Sequence, residues 1–200
     1  LRDVLIAISR AKDEVVDEKA YRVLAQQMHN AAGSDEESLA AAEKCLEVAD
    51  IYERYEAVKH DRGAVDFGDL VMLPALLLER EPALAASVRL RHRHVLVDEY
   101  QDVNRASVRL VKALVGDGKR LWVVGDARQS IYRFRGASSG NMAAFAMDFP
   151  GAVIDRLAVS YRSTGRIIDV FSGFAENMGA SKGMLPLALQ ADRREGSAVP

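Results

Sequence analysis

His94 to Asn104 reads HVLVDEYQDVN, and this run decides the fold. Val95, Leu96 and Val97 are a short apolar run of the kind that forms a buried strand. They end in two adjacent carboxylates, Asp98 and Glu99, followed by Gln101, Asp102 and a new amphipathic segment. A carboxylate at the carboxyl end of a buried parallel strand is placed to hold a divalent cation and an attacking water. The pattern recurs downstream, where Arg120-Leu121-Trp122-Val123-Val124 runs into Gly125-Asp126-Ala127-Arg128-Gln129-Ser130. Two such strand ends in series predict a phosphate-handling sheet.

Around this centre, helical and strand patterns alternate. Leu70 to Leu78 reads as a buried helix capped by Asp66-Phe67-Gly68-Asp69 and ending near Glu81-Pro82. Val103 to Val115 places Val103, Ser107, Leu110, Val111 and Leu114 on one helical face. A third short strand falls at Leu157 to Ser160, and a helix at about 165–178. Trp122, inside the second strand, is expected to be buried against a helix. Residues 1–62 read differently, as helical and acidic, with Leu5, Ile6, Ile8, Val15 and Val16 on one face. There Ser34-Asp35-Glu36-Glu37 forms a capping box. The predicted class is α/β, a parallel sheet flanked by helices with a separate helical segment. The divisions fall at 1–62, 63–157 and 158–200.

Composition excludes several functions. The chain has 200 residues, 49% hydrophobic and 28% charged, with a net charge of −2. That balance gives no support to whole-surface nucleic-acid binding, so any such site is a local groove. Cys45 is the only cysteine, which removes a disulfide framework and a Cys-rich metal site and fits a reducing cytosol. The longest apolar run is too short to span a bilayer. The four histidines lack ligand spacing; His92 and His94, in RLRHRH, read as a solvated basic turn.

By itself Asp98-Glu99 is equally compatible with a capping or solvated-turn role. Its company argues for chemistry: Gln101 and Asp102, then Asp126 and Gln129, then Ser160-Tyr161-Arg162-Ser163. Phosphoryl transfer needs a metal to neutralise charge, a group to orient water, a γ-phosphate sensor and a cation for the developing charge. Asp98 suits the metal through a coordinated water, and Glu99 the base. Gln129 suits the sensor, Arg162 the clamp, and Tyr161 has a face for a nucleobase. Tyr132, Arg133, Phe134 and Arg135 interleave aromatic rings with guanidinium groups, a pattern suited to a sequence-tolerant single-strand groove. Packing of Tyr132 or Phe134 in the core beneath the loop is the alternative.

VLVDEYQDVN, LWVVGDARQSIYRFRGA and LAVSYRST together resemble the UvrD/Rep type of superfamily 1 DNA helicases, covering helicase motifs II, III and IV. AVDFGDLV is similar to the segment leading into motif II, and residues 1–62 look like part of a helical insertion. The resemblance covers roughly residues 5–180. It implies a partial RecA-like P-loop NTPase domain with a helical insertion subdomain, motifs II and III in 63–157 and a truncated second RecA-like domain from 158. It implies ATP and Mg²⁺ as cofactors, single-stranded and partly duplex DNA as partners, 3′-to-5′ translocation and a cytoplasmic setting. Asp98 and Glu99 would then serve the metal and the base, and Gln101 and Gln129 would couple γ-phosphate state to DNA contacts. Tyr161 would stack on adenine, Arg162 would reach the γ-phosphate, and Tyr132, Arg133, Phe134 and Arg135 would face DNA.

Two departures qualify the resemblance. Phe134 stands where relatives carry Trp, and Arg128 where they carry an acid. The basic Arg128 before Gln129 and the wording QSIYRFRGA lean toward the AddA/RecB recombination helicase-nucleases. A non-hydrolysing DNA-binding relative is the further alternative. G-x-x-x-x-G-K-[ST] does not occur in these residues. The chain therefore reads as a middle slice of a motor, inactive toward ATP alone and liable to expose apolar sheet surface.

Overall fold

The computed structural model describes residues 1–130, 139–175, 177–178 and 189–193. The chain forms two compact units, one of residues 1–96 and 103–122, the other of 97–102, 123–130 and the described residues from 139 onward.

The first unit is built on six helices. α1 (Arg2–Asp13) buries Ile8, Ala11 and Lys12. Leu5 and Ile6, expected on the buried face, are 46% and 40% exposed. The inward row is instead Val4, Ile8 and Ala11, at helical spacing, packed on Tyr52. The helix ends where Val16 N–H donates to the Ala11 carbonyl (2.8 Å) across Val15, whose φ is 60°. α2 (Glu18–Ala31) starts at Asp17, whose carboxylate accepts from Ala20 N–H at 2.8 Å. α3 (Glu36–Asp61) folds back along α2, with Tyr21 edge-on to Tyr52 at 6.0 Å and Arg22 paired to Asp50 and Glu53. Its cap is Asp35, accepting from Ser38 N–H at 2.9 Å, and not Ser34 as the capping-box reading had it. A carboxylate one residue on meets the helix N-terminus with full charge as well as a hydrogen bond.

α4 (Asp69–Arg80), α5 (Pro82–Arg91) and α6 (Arg105–Val115) pack together around Leu78, Ala85 and Ala113, with Val88, Leu110 and Leu114 against them. Burying a side chain such as Leu78 contributes about 1.5–3 kcal/mol. Asn104 caps α6, accepting from Ser107 N–H at 2.8 Å, while its amide donates to Asp13 of α1 at 2.5 Å. Gly116, at φ 65°, closes α6 in a backbone region that disfavours other residues.

The polar heart of this unit was not foreseen. Lys12 is 1% exposed, Asp69 2% and Lys59 9%. The Lys12 ammonium meets Asp66 at 2.6 Å, Asp69 at 2.7 Å and Glu56 at 2.8 Å. Lys59 pairs with the same three carboxylates. Asp66 and Asp69 also cap each other's backbone N–H groups, at 3.0 and 2.9 Å, and Tyr55 donates to Asp66 at 2.9 Å. Burial pushes the Asp66 carboxyl up, but hydrogen bonds from Lys12, Asp69 N–H and Tyr55 outweigh it and hold the group below the ordinary carboxylate range. Asp69 moves the same way, with burial opposed by Lys12 and Lys59. For Lys59, burial works downward, and its carboxylate partners hold the ammonium above its usual range.

Two short strands follow, β1 (Val95–Val97) and β2 (Leu121–Val123), which pair directly. Val95 N–H donates to the Arg120 carbonyl in the first unit, and Val124 N–H to the Val97 carbonyl in the second, a parallel sense with α6 as crossover. Trp122 is 70% exposed and Leu96 78%, so the expected burial of Trp122 does not hold. Side chains alternate across a strand, and the outward face of this two-stranded pair presents both to solvent.

In the second unit, α7 (Ser139–Asp148) packs on the 3₁₀ turn Tyr100–Asp102. β3 (Val159–Thr164), α8 (Gly165–Ala175) and β4 (Gln190–Arg193) make a parallel βαβ arrangement, Val159 opposite Gln190 and Ser160 opposite Ala191. β4 escaped the sequence reading because QADR carries no apolar alternation; backbone pairing defines it. Among the described residues no helix is long and apolar enough to cross a membrane.

Candidate active site

The site is built from two strand ends in the second unit. As β1 ends, Asp98 Oδ1 accepts from Glu99 N–H at 2.9 Å, and Glu99 adopts φ 51°. A non-glycine residue held in the left-handed region costs about 1–3 kcal/mol, and such residues cluster where geometry serves chemistry. Both carboxylates are exposed. Just beyond, Asp102 N–H donates to the Glu99 carbonyl at 2.8 Å and closes the 3₁₀ turn. Asp102 Oδ1 is buried and makes no hydrogen bond among the described residues.

Gln101 is the strut of the site. It is 1% exposed, and its Oε1 accepts from Asp126 N–H at 2.9 Å. A backbone N–H can only donate, so this bond fixes which way the amide faces. Nε2 is thereby turned to Glu99 Oε2, to which it donates at 2.5 Å. The Gln101 carbonyl in turn accepts from Ser130 Oγ at 3.2 Å. One buried side chain thus ties the Glu99 carboxylate to the loop after β2.

That loop is organised by Asp126. Its Oδ1 accepts from Arg128 N–H at 3.0 Å and its Oδ2 from Gln129 Nε2 at 3.1 Å. Gly125 is required by close approach: a Cβ there would lie 2.9 Å from Gln101 Oε1 and 3.2 Å from Gln101 N. Beneath the turn, buried Tyr100 meets Phe145 edge-on at 5.3 Å, and Phe145 packs on Phe149 at 5.0 Å.

The structure therefore joins Asp98, Glu99, Gln101 and Gln129 in one hydrogen-bonded chain, with Asp126 as its central link. Sequence reasoning alone assigns Asp126 no role. The signal was present, since an Asp two residues before an N–H favours an Asx turn. Tyr161 and Arg162 lie within β3 and are exposed, Tyr161 to 72%. Their side chains make no hydrogen bond to the cluster among the described residues; the Arg162 carbonyl accepts from Arg193 Nη1 at 2.9 Å. Tyr132, Arg133, Phe134 and Arg135 lie outside the described residues.

Chemically, this is an acidic, solvent-reachable strand end with one carboxylate oriented by a buried amide. Such a set can take a hydrated divalent cation and orient water.

Known proteins resemble this chain in sequence. Residues 3–150 match the UvrD/REP helicase N-terminal domain family. The ATP-dependent DNA helicase Rep of Salmonella typhimurium is 43% identical over 120 residues, 60% of this chain and 18% of that protein. UvrD1 of Mycobacterium leprae is 39% identical over 185 residues, 86% and 22% respectively. PcrA of Bacillus subtilis is 33% identical over 195 residues, 98% and 24%. The chain spans about a fifth to a quarter of the length of these relatives. With a match that runs from α1 through both strand ends to α7, the chain belongs to the UvrD/REP helicase N-terminal domain family.

Proposed function

We propose that these residues form part of an ATP-dependent DNA helicase, a motor that couples ATP hydrolysis to 3′-to-5′ movement along single-stranded DNA and so to duplex unwinding. The observation that carries the reading is the Gln101 amide, which links the Glu99 carboxylate to the loop bearing Gln129. Relatives named as ATP-dependent DNA helicases support the same reading.

In this account Glu99 accepts the proton of the attacking water, and Gln101 holds the carboxylate in the orientation that does so. Asp98 and Glu99 would hold Mg²⁺. The exposed Asp98 and Glu99 carboxylates offer the hard oxygen donors that fit that ion. The bound ion supplies charge neutralisation for the phosphates. Gln129 senses the phosphate end and, through its bond to Asp126, passes the change to Gln101; the Gln129–Asp126–Gln101 hydrogen bonds support this. Tyr161 is assigned to the adenine face and Arg162 to the γ-phosphate, both from an exposed strand that leaves their side chains available. Tyr132, Arg133, Phe134 and Arg135 are assigned to single-stranded DNA. The setting is cytoplasmic, consistent with a single half-buried cysteine and no disulfide framework.

A phosphate-cradling G-x-x-x-x-G-K-[ST] loop is absent from these 200 residues, so the isolated chain should not turn over ATP. The test is ATP hydrolysis by the intact protein, with and without single-stranded DNA. DNA-stimulated turnover supports the motor; absence of turnover with or without DNA refutes it. Robust turnover by the isolated chain would refute the account of the missing loop.

A further inference from the structure

Outside the strand-end site, α4, α5 and α6 enclose a groove of about 420 Å³ within the first unit. Its floor is apolar, formed by Leu78, Ala85 and Ala113 of the local core. Among the described residues its walls carry four cationic side chains, Arg89, Arg105, Arg109 and Lys112, against one carboxylate, Glu79. That imbalance is local, because the chain as a whole has a net charge of −2. Cations gathered over low-dielectric walls focus a positive potential into the groove.

The groove already displays how it receives a carboxylate. Arg109 binds Glu79 in a two-pronged bond, Nε to Oε1 at 2.9 Å and Nη2 to Oε2 at 2.5 Å. This pair holds Arg109 above its usual range and Glu79 below its own, with the hydrogen bond as the main cause in each. Arg89 donates to the Ala113 carbonyl at 3.0 Å, which anchors the wall at the end of α6. Among the described residues no aromatic side chain lines the groove, so they offer none of the stacking surface on which single-stranded nucleic acid depends. An apolar floor beneath planar, fork-shaped cations instead suits an aliphatic side chain flanked by carboxylates.

We propose that this groove docks an acidic segment of a partner protein, a run of Asp and Glu carrying aliphatic side chains. Charge complementarity selects the occupant, and the floor takes its apolar residue. The groove shares no residue with the strand-end site and takes no part in the hydrolysis assigned to it.

The experiment is fluorescence anisotropy on the intact protein with a labelled synthetic peptide of repeated Glu-Glu-Leu. The matching Gln-Gln-Leu peptide and unlabelled oligothymidine serve as controls. The Glu peptide should bind and weaken with added salt, and the Gln peptide should not bind. Binding should fall about tenfold or more in the Arg105→Glu/Lys112→Glu double variant, and less in Lys112→Gln. ATP turnover should be unchanged in both. Should the double variant fail to fold, the single neutralisation decides. Equal binding of both peptides, no binding of either, or unchanged binding in the variants overturns the proposal. Displacement of the peptide by oligothymidine also overturns it and makes the groove a nucleic-acid surface.

Discussion

Replacing Lys12 with Met removes the ammonium at the centre of the buried cluster and keeps most of the aliphatic stem that packs beside Gly68. Three carboxylates, Glu56, Asp66 and Asp69, are then left to share Lys59 alone. Removing one partner of a buried ion pair costs about 3–5 kcal/mol. Protonation sets a ceiling, because holding a carboxyl of ordinary pKa near 4 neutral at pH 7 costs about 4 kcal/mol. The expected loss at pH 7 is therefore about 3–4 kcal/mol, or about 10 °C in melting temperature. The pH dependence follows with a definite sign. In the wild type, Asp66 and Asp69 sit below the ordinary carboxylate range, so their stabilisation is present above about pH 4 and lost as pH falls further. In the variant a carboxyl takes up its proton earlier, so the deficit narrows toward pH 5. Urea unfolding followed by far-ultraviolet circular dichroism between pH 5 and 8 measures this. Adding Asp69→Asn to Lys12→Met should recover stability. A deficit below about 1 kcal/mol, or one independent of pH, would refute the reasoning.

Three further outcomes follow from local geometry. Gly125→Ala drives a methyl into Gln101 Oε1 and its backbone N, and should cost about 1–3 kcal/mol by thermal melting; an unchanged melting temperature contradicts the close approach. Val15→Gly relieves a β-branched residue at φ 60° and should raise the melting temperature by about 2–4 °C, offset in part by glycine's entropy; a fall contradicts the strain. Gln101→Leu keeps the volume but frees Glu99 and Asp126 N–H, and should lower kcat of the intact protein about tenfold or more with KM for ATP little changed; a rise in KM alone contradicts the positioning role.

The strand ends were legible because their chemistry is local. An apolar run followed by Asp98-Glu99, and a second followed by Gly125-Asp126, mark themselves within a few residues. The existence of α4 and α6 was legible for the same reason, but not their buried faces: Leu70, Leu73 and Leu77 are exposed, and α6 buries Ala106, Val108, Val111 and Ala113, of which only Val111 belongs to the expected row. Lys12 and Asp69 were not, because their partnership joins residues 57 positions apart. Nothing in ISRAKDE announces a buried ammonium. Trp122 is exposed despite lying in a strand, because burial depends on what covers the face and not on strand identity. Gln101 stood between the two cases: its place in the motif was visible, but not the pair of bonds that fixes its amide.

In the proposed function Glu99 is the group that activates water, held there by Gln101. The most direct measurement compares ATP–Mg²⁺ affinity with single-stranded-DNA-stimulated turnover in the intact protein, for wild type and Glu99→Gln. The account predicts nucleotide affinity within a few-fold of wild type and turnover lower by about 10²–10⁴. Turnover close to wild type in Glu99→Gln would contradict it and remove Glu99 from the chemistry.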